Sequence, residues 1–113
     1  MKSLDGPGLV DLHARSRAVG APLLLLDVRE PWEVALASIR LDGATAAFVP
    51  MGSVPAALDS LDRSQPVVCI CHHGARSAQV VAFLERHGFG SVYNLAGGID
   101  AWSLAVDPAV PRY

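Results

Sequence analysis

Residues Val67–Gly88 read VVCICHHGARSAQVVAFLERHG. Val67 to Cys71 is apolar without alternation, the pattern of a strand buried on both faces. Ser77 to His87 has helical spacing, and Gly88 stands where a helix C-cap glycine belongs. Between strand and helix lies a short polar loop whose first residue is a thiol. Ligands of open α/β sheets sit beyond the carboxyl ends of the strands. The stretch therefore predicts a parallel sheet with Cys71 on its ligand-binding rim.

Working outward, Gly6-Pro7 opens a helix with Leu9, Leu12, Ser16 and Val19 on one face, ended by Gly20. Leu23 to Leu26 forms a second buried strand, ending at Asp27-Val28-Arg29-Glu30-Pro31. Pro31 starts a helix carrying Trp32, Val34, Ala35 and Leu36, and Ser38 to Thr45 has no period and reads as loop. Ala46 to Val49 is a short strand, Met51 to Leu61 a helix and Asp62 to Pro66 a turn. Ser91 to Leu95 is a strand, and Gly97-Gly98 leads into a helix over Ile99 to Leu104. The alternation predicts an α/β fold: a mainly parallel central sheet of about four or five strands with helices on both faces. If the strands ending at Leu26 and Cys71 are neighbours, Asp27 and Arg29 share the rim with the thiol.

The chain has 113 residues, 51% hydrophobic and 18% charged, which suits a single domain over 1–113. Its core is expected over 20–104, with an extended tail over 105–113 that packs on its own domain or binds a neighbour. A net charge of −2 gives no electrostatic ground for nucleic acid binding. Every apolar run is far shorter than the roughly 18–20 residues that span a bilayer. MKSLDGPGL lacks the basic start and long apolar core of a signal peptide. A soluble, cytoplasmic protein is expected. The two cysteines, Cys69 and Cys71, sit at i and i+2 of one strand and are poorly placed to bridge each other. A free thiol fits a reducing compartment. Cys69, Cys71, His72 and His73 lie on one strand and its exit, too confined to wrap an ion, so neither metal nor cofactor is expected.

A tight loop opening a helix can aim successive N–H groups at an anion, and Gly74 permits the backbone angles this needs. The helix dipole adds about 0.3–1 kcal/mol for a thiolate there, and each N–H bond to the charged sulfur about 1.5–3 kcal/mol. Cys71 is thus an activated nucleophile in prospect, with no His–Asp pair required. Arg76 either faces the sulfur or braces the loop through Asp27 or Glu30. His72 and His73 line the mouth and bring pH-dependent charge. Arg29 and Glu30 pair with each other or with loop backbone, and Gly97-Gly98 shapes a turn. Cys69, Trp32 and Trp102 are packing residues, and His13 and His87 lie on helix surfaces.

Cys71-His72-His73-Gly74-Ala75-Arg76-Ser77 resembles the active-site loop of the rhodanese-like family: Cys, two variable residues, Gly, one variable residue, Arg, Ser. Leu26-Asp27-Val28-Arg29-Glu30 with Glu33 looks like that family's first-strand signature, and Asn94 to Trp102, NLAGGIDAW, like its C-terminal one. The resemblance implies a sulfurtransferase in which Cys71 takes a sulfane sulfur from a donor such as thiosulfate and passes it, through a persulfide, to cyanide or a thiol. It implies that His72 to Ser77 bind substrate, with Asp27, Arg29 and Glu30 as supporting rim. The biological acceptor would be a small thiol, a thioredoxin-like protein or another sulfur-relay protein. Two departures stand out. Ser38 to Ala44 lacks the family's histidine, and little sequence precedes the first helix to form the usual short strand.

Two other functions compete. Cysteine-dependent phosphatases use a similar loop with Arg six residues after Cys, whereas Arg76 is five after Cys71. The shorter loop suits a sulfur atom better than a phosphoryl group. Non-catalytic binding modules of the family often lack the cysteine, which is present here.

Overall fold

A computed structural model describes residues 1–113. Five strands, β1 (Lys2–Leu4), β2 (Leu24–Asp27), β3 (Thr45–Phe48), β4 (Val67–Ile70) and β5 (Val92–Leu95), form one sheet in the order β1-β5-β4-β2-β3. All pairs are parallel. The helices are α1 (Gly6–Ala18), α2 (Pro31–Leu36), α3 (Val54–Ala57), α4 (Ala75–Arg86) and α5 (Gly98–Ala105).

The unalternating apolar runs occupy the middle of the sheet, and every residue of β2 and β4 is buried. Side chains alternate between faces. Leu24, Leu26, Val67 and Cys69 pack with Val54 of α3 and with Val80, Val81 and Leu84 of α4. Leu25, Val68 and Ile70 pack on the opposite face with Leu9 of α1 and with Ile99 and Trp102 of α5. Burying a leucine fully contributes about 1.5–3 kcal/mol, and truncating one such as Leu26 costs about 2–5 kcal/mol.

Several sequence expectations are corrected. A short strand does precede α1: β1 pairs with β5 through Lys2–Tyr93, Ser3–Asn94 and Leu4–Leu95. Lys2 and Ser3 are exposed, so β1 takes its order from its partner and shows no pattern of its own. The helix expected over Met51–Leu61 is broken into a 3-10 turn (Met51–Ser53), α3 and a second 3-10 turn (Leu58–Ser60). Pro55 has no N–H for the Met51 carbonyl, which accepts from Val54 instead. The inward face of α1 is Leu9, His13 and Ser16. Val19 lies beyond the helix and is 78% exposed. His13, expected at the surface, is buried and its Nε2 donates to the Asp42 carbonyl at 2.8 Å, tying α1 to the loop before β3. In that loop Ile39 is buried in the α1–α5 core, which secures the segment without the family's histidine. Trp102 is buried as expected, but Trp32 is 63% exposed because α2 sits at the rim rather than on a sheet face.

Candidate active site

The strands ending at Asp27 and Ile70 are neighbours, with Asp27 opposite Ile70. Cys71 therefore leaves the sheet beside Asp27 and Arg29, at the carboxyl edge. Its carbonyl accepts from Ile99 N–H at 2.9 Å, and the His72 carbonyl accepts from Asp100 N–H at 3.2 Å. The first turn of α5 thus clamps the start of the loop. Gly98 makes this approach possible. A Cβ there would lie 2.4 Å from the Cys71 carbonyl oxygen and 2.3 Å from that of His72, and its φ of +62° also excludes most side chains. The glycine pair therefore shapes the loop as well as its own turn.

Gly74, at φ +105°, turns the chain into α4 and donates its N–H to Cys71 Sγ at 3.0 Å. Asn94, at the end of β5, donates from Nδ2 to the Gly74 carbonyl at 3.1 Å, which fixes the orientation of its amide. Its Oδ1 accepts from Ser77 Oγ at 2.5 Å, and Ser77 Oγ lies 3.2 Å from Cys71 Sγ. A hydroxyl has one proton, and Ser77 gives it to Asn94. The Cys71 thiol therefore donates to Ser77, and on ionisation the hydroxyl can turn its proton to the sulfur. The groups in contact with the sulfur are one N–H, from Gly74, and one hydroxyl, from Ser77. Cys71 is 1% exposed, at the base of the loop. Ala75 opens α4, two residues before the expected start.

Arg76 braces the loop, but neither Asp27 nor Glu30 is its partner. Its two terminal nitrogens donate to Glu33 Oε1 and Oε2 at 2.6 and 2.8 Å. These bonds pull the Glu33 carboxyl down to about 2 against the cost of burial, and raise Arg76 in turn. Arg29 is 1% exposed and pairs bidentately with Asp27 at 2.9 and 2.6 Å. Its remaining donors reach the Ala37 carbonyl, the Glu33 carbonyl and Tyr113 Oη, so all the guanidinium hydrogens are used. Burial works against that charge, yet the bonds to Asp27 and Tyr113 prevail and raise its pKa. Asp27 and Arg29 are a buried brace with no donor left for a substrate. Glu30 does not pair with Arg29. It is exposed, precedes α2, and donates its backbone N–H to Glu33 Oε1 at 3.1 Å. Glu30 and Arg76 meet across a small cleft lined also by Val28, Met51 and Gly52.

His72 is partly buried and His73 exposed. Their rings stack at 3.9 Å, and the other face of His72 stacks on Tyr113, also at 3.9 Å. His73 Nδ1 lies 4.0 Å from Asp100, whose carboxyl is held below its ordinary range chiefly by Arg112. Cys69 is a packing residue: burial pushes its thiol up to about 12. His87 is exposed, as expected.

Sequence reading missed three residues of this arrangement. Glu33 stands in the first-strand signature, and its place in the first turn of α2 was the available signal. Asn94 stands in the C-terminal signature at a strand end, where a polar side chain reaches the rim. Tyr113 carried no signal. The segment after α5 folds back through Val110, buried in the core, through Ser103 Oγ donating to the Val110 carbonyl at 2.6 Å, and through Arg112 on Asp100. Tyr113 Oη then donates to Glu33 Oε2 at 2.7 Å. Burial pushes this hydroxyl up, which keeps its proton available.

The Rhodanese-like domain profile matches residues 10–105. A sulfurtransferase of Allochromatium vinosum is 40% identical over 81 residues, 72% of this chain and 72% of its own length. The rhodanese-like/PpiC domain-containing protein 12 of Arabidopsis thaliana, a chloroplastic protein, is 39% identical over 97 residues, and the match spans 79% of this chain but 30% of that longer protein. The crystal structure of a rhodanese-like domain protein from Staphylococcus aureus superposes with a TM-score of 0.76 at 29% identity, covering 100% of this chain and 99% of that one. With its parallel sheet and its cysteine loop at the carboxyl edge, the chain belongs to the rhodanese-like domain family.

Proposed function

We propose that the chain is a sulfurtransferase that carries a sulfane sulfur on Cys71. One observation carries the reading: Cys71 Sγ takes the Gly74 N–H at 3.0 Å while Arg76 is turned away onto Glu33. The loop is built around one sulfur atom, with no free cation aimed in for phosphoryl oxygens. The name of the Allochromatium relative supports the same class.

In the first half-reaction the Cys71 thiolate attacks the outer sulfur of a donor such as thiosulfate. A new S–S bond forms to Sγ, the donor's S–S bond breaks, and sulfite leaves with the electron pair. In the second, cyanide or a thiolate attacks the outer sulfur of the persulfide and Cys71 leaves as thiolate. This is two-stage covalent catalysis with ping-pong kinetics. The Gly74 N–H and the Ser77 hydroxyl stabilise the anionic sulfur in both stages. The acceptor is a small thiol, a thioredoxin-like protein or another relay protein. Two free cysteines fit work in a reducing compartment such as the cytoplasm. No helix is long and apolar enough to cross a membrane.

Incubation with thiosulfate is expected to add one sulfur by intact mass, removable by cyanide and absent in Cys71→Ser. Failure of thiosulfate and of glutathione persulfide to load Cys71 overturns the proposal. Turnover of an aryl phosphate, lost in the same variant, would point to the phosphatase instead.

A further inference from the structure

We infer that Tyr113 is a positioning residue for the Cys71 loop. The inference rests on the sulfurtransferase reading for its reaction, though not for its geometry. Tyr113 touches the site in three ways. Its hydroxyl donates to Glu33 Oε2, the same oxygen that takes Arg76 Nη2 at 2.8 Å. The hydroxyl accepts from Arg29 Nη1 at 3.0 Å. Its ring lies against His72, the residue after the nucleophile, with planes 8° apart.

These contacts make a continuous chain of alternating charge across the rim: Asp27, Arg29, Tyr113, Glu33, Arg76. Tyr113 is its neutral middle member, joining the ion pair at the end of β2 to the one that holds the Cys71 loop. The Glu33 carboxylate accepts four hydrogen bonds, and Tyr113 supplies one of them. Without it, an oxygen on a buried carboxylate loses a donor and the Arg76 anchor loosens. The ring restrains the other end of the loop, because His72 is held between Tyr113 and His73. One side chain thus restrains the loop at its second residue, His72, and the first turn of α4 that follows it, through Arg76.

A movable lid would use the same ring in the opposite sense. The anchoring of the strap argues against that: Val110 is in the core, Ser103 holds its carbonyl, and Arg112 sits on Asp100. A segment tied at three points is built to stay.

The test compares Tyr113→Phe and Tyr113→Leu with the wild type. Phe keeps the stack and loses the hydroxyl link, whereas Leu loses both. The rate constant for loading Cys71 from thiosulfate is expected to fall about threefold in Phe and about tenfold in Leu, in kcat more than in KM. The His72 ring-proton resonances should be shifted upfield by the tyrosine in wild type, stay so in Phe, and move back in Leu. A wild-type loading rate in Leu overturns the proposal, and a faster one shows a lid. If Leu does not fold, Phe decides alone: slower loading at unchanged melting temperature supports the role, and an unchanged rate overturns it. If the wild type itself takes no sulfur, the proposed function fails first. The rate of Cys71 alkylation by iodoacetamide in the same proteins then still tests the positioning, with equal rates overturning it.

Discussion

The Cys71 loop and the rim at the end of β2 are neighbours built on opposite terms. Around its sulfur the loop is held by neutral hydrogen bonds: α5 N–H groups on its carbonyls, Asn94 on Gly74 and Ser77, and Gly74 on the sulfur. The rim is held by full charges, Asp27 with Arg29 and Glu33 with Arg76. The difference separates two jobs. A rim of ion pairs sets geometry, and the Arg29 pair, with every guanidinium donor used, offers substrate little. A loop of neutral donors meets an anionic sulfur with the Gly74 N–H already in place and with the Ser77 hydroxyl, which turns its proton from Asn94 to the sulfur.

The largest expected effect tests whether the chemistry is confined to the loop. Cys71→Ser should abolish sulfur loading altogether. Cys69→Ala, two residues back on the same strand face, should load normally and lose only about 1 kcal/mol of packing in urea unfolding. Loss of loading in both variants would break the distinction between strand interior and strand exit.

Next comes the rim. Asp27→Ala leaves Arg29 buried without its carboxylate, and urea unfolding should show a loss of about 3–5 kcal/mol. A loss below about 1 kcal/mol would mean that the pair is dispensable as a brace.

The Glu33 pair should be visible in acid. Its carboxyl is depressed in the folded state to about 2, so its contribution is complete above the ordinary carboxylate pKa. It fades as pH falls from about 4.5 towards 2, by at most about 3 kcal/mol. Stability measured across that window should fall less steeply in Glu33→Gln than in wild type; equal slopes would refute the assignment.

Gly98→Ala strikes the clamp between α5 and the loop. The added methyl must push the Cys71 carbonyl away, at a cost of about 1–3 kcal/mol in stability. Loading should slow by on the order of a hundredfold, because the sulfur moves with the carbonyl. Normal loading would show that the loop does not need α5.

The smallest effect is expected on the outer, exposed side of α2. Trp32→Ala at the exposed rim should change stability by no more than about 0.5 kcal/mol in thermal melts.

The parallel sheet was legible because β2 and β4 are buried on both faces and therefore carry no alternation. The loop was legible because Cys71, Gly74 and Arg76 each do a job that few other residue types can do at that spacing. What escaped was contact between distant segments. Whether Arg76 faces the sulfur or braces the loop stayed open in the sequence, because its partner, Glu33, is 43 residues away. Three residues of β1 cannot show a period, and Tyr113 lies in a segment whose residues have no pattern at all.

By itself, then, the sequence determined the layers, the rim and the position of the thiol, since periodicity and local backbone chemistry are properties of neighbouring residues. Only the tertiary structure decided which carboxylate holds Arg76, which N–H reaches the sulfur, and where the segment after α5 comes to rest. Those outcomes depend on strand order and on the burial of charge. Both are settled by the whole chain when Asp27, Glu33, Asn94 and Tyr113 meet around one loop.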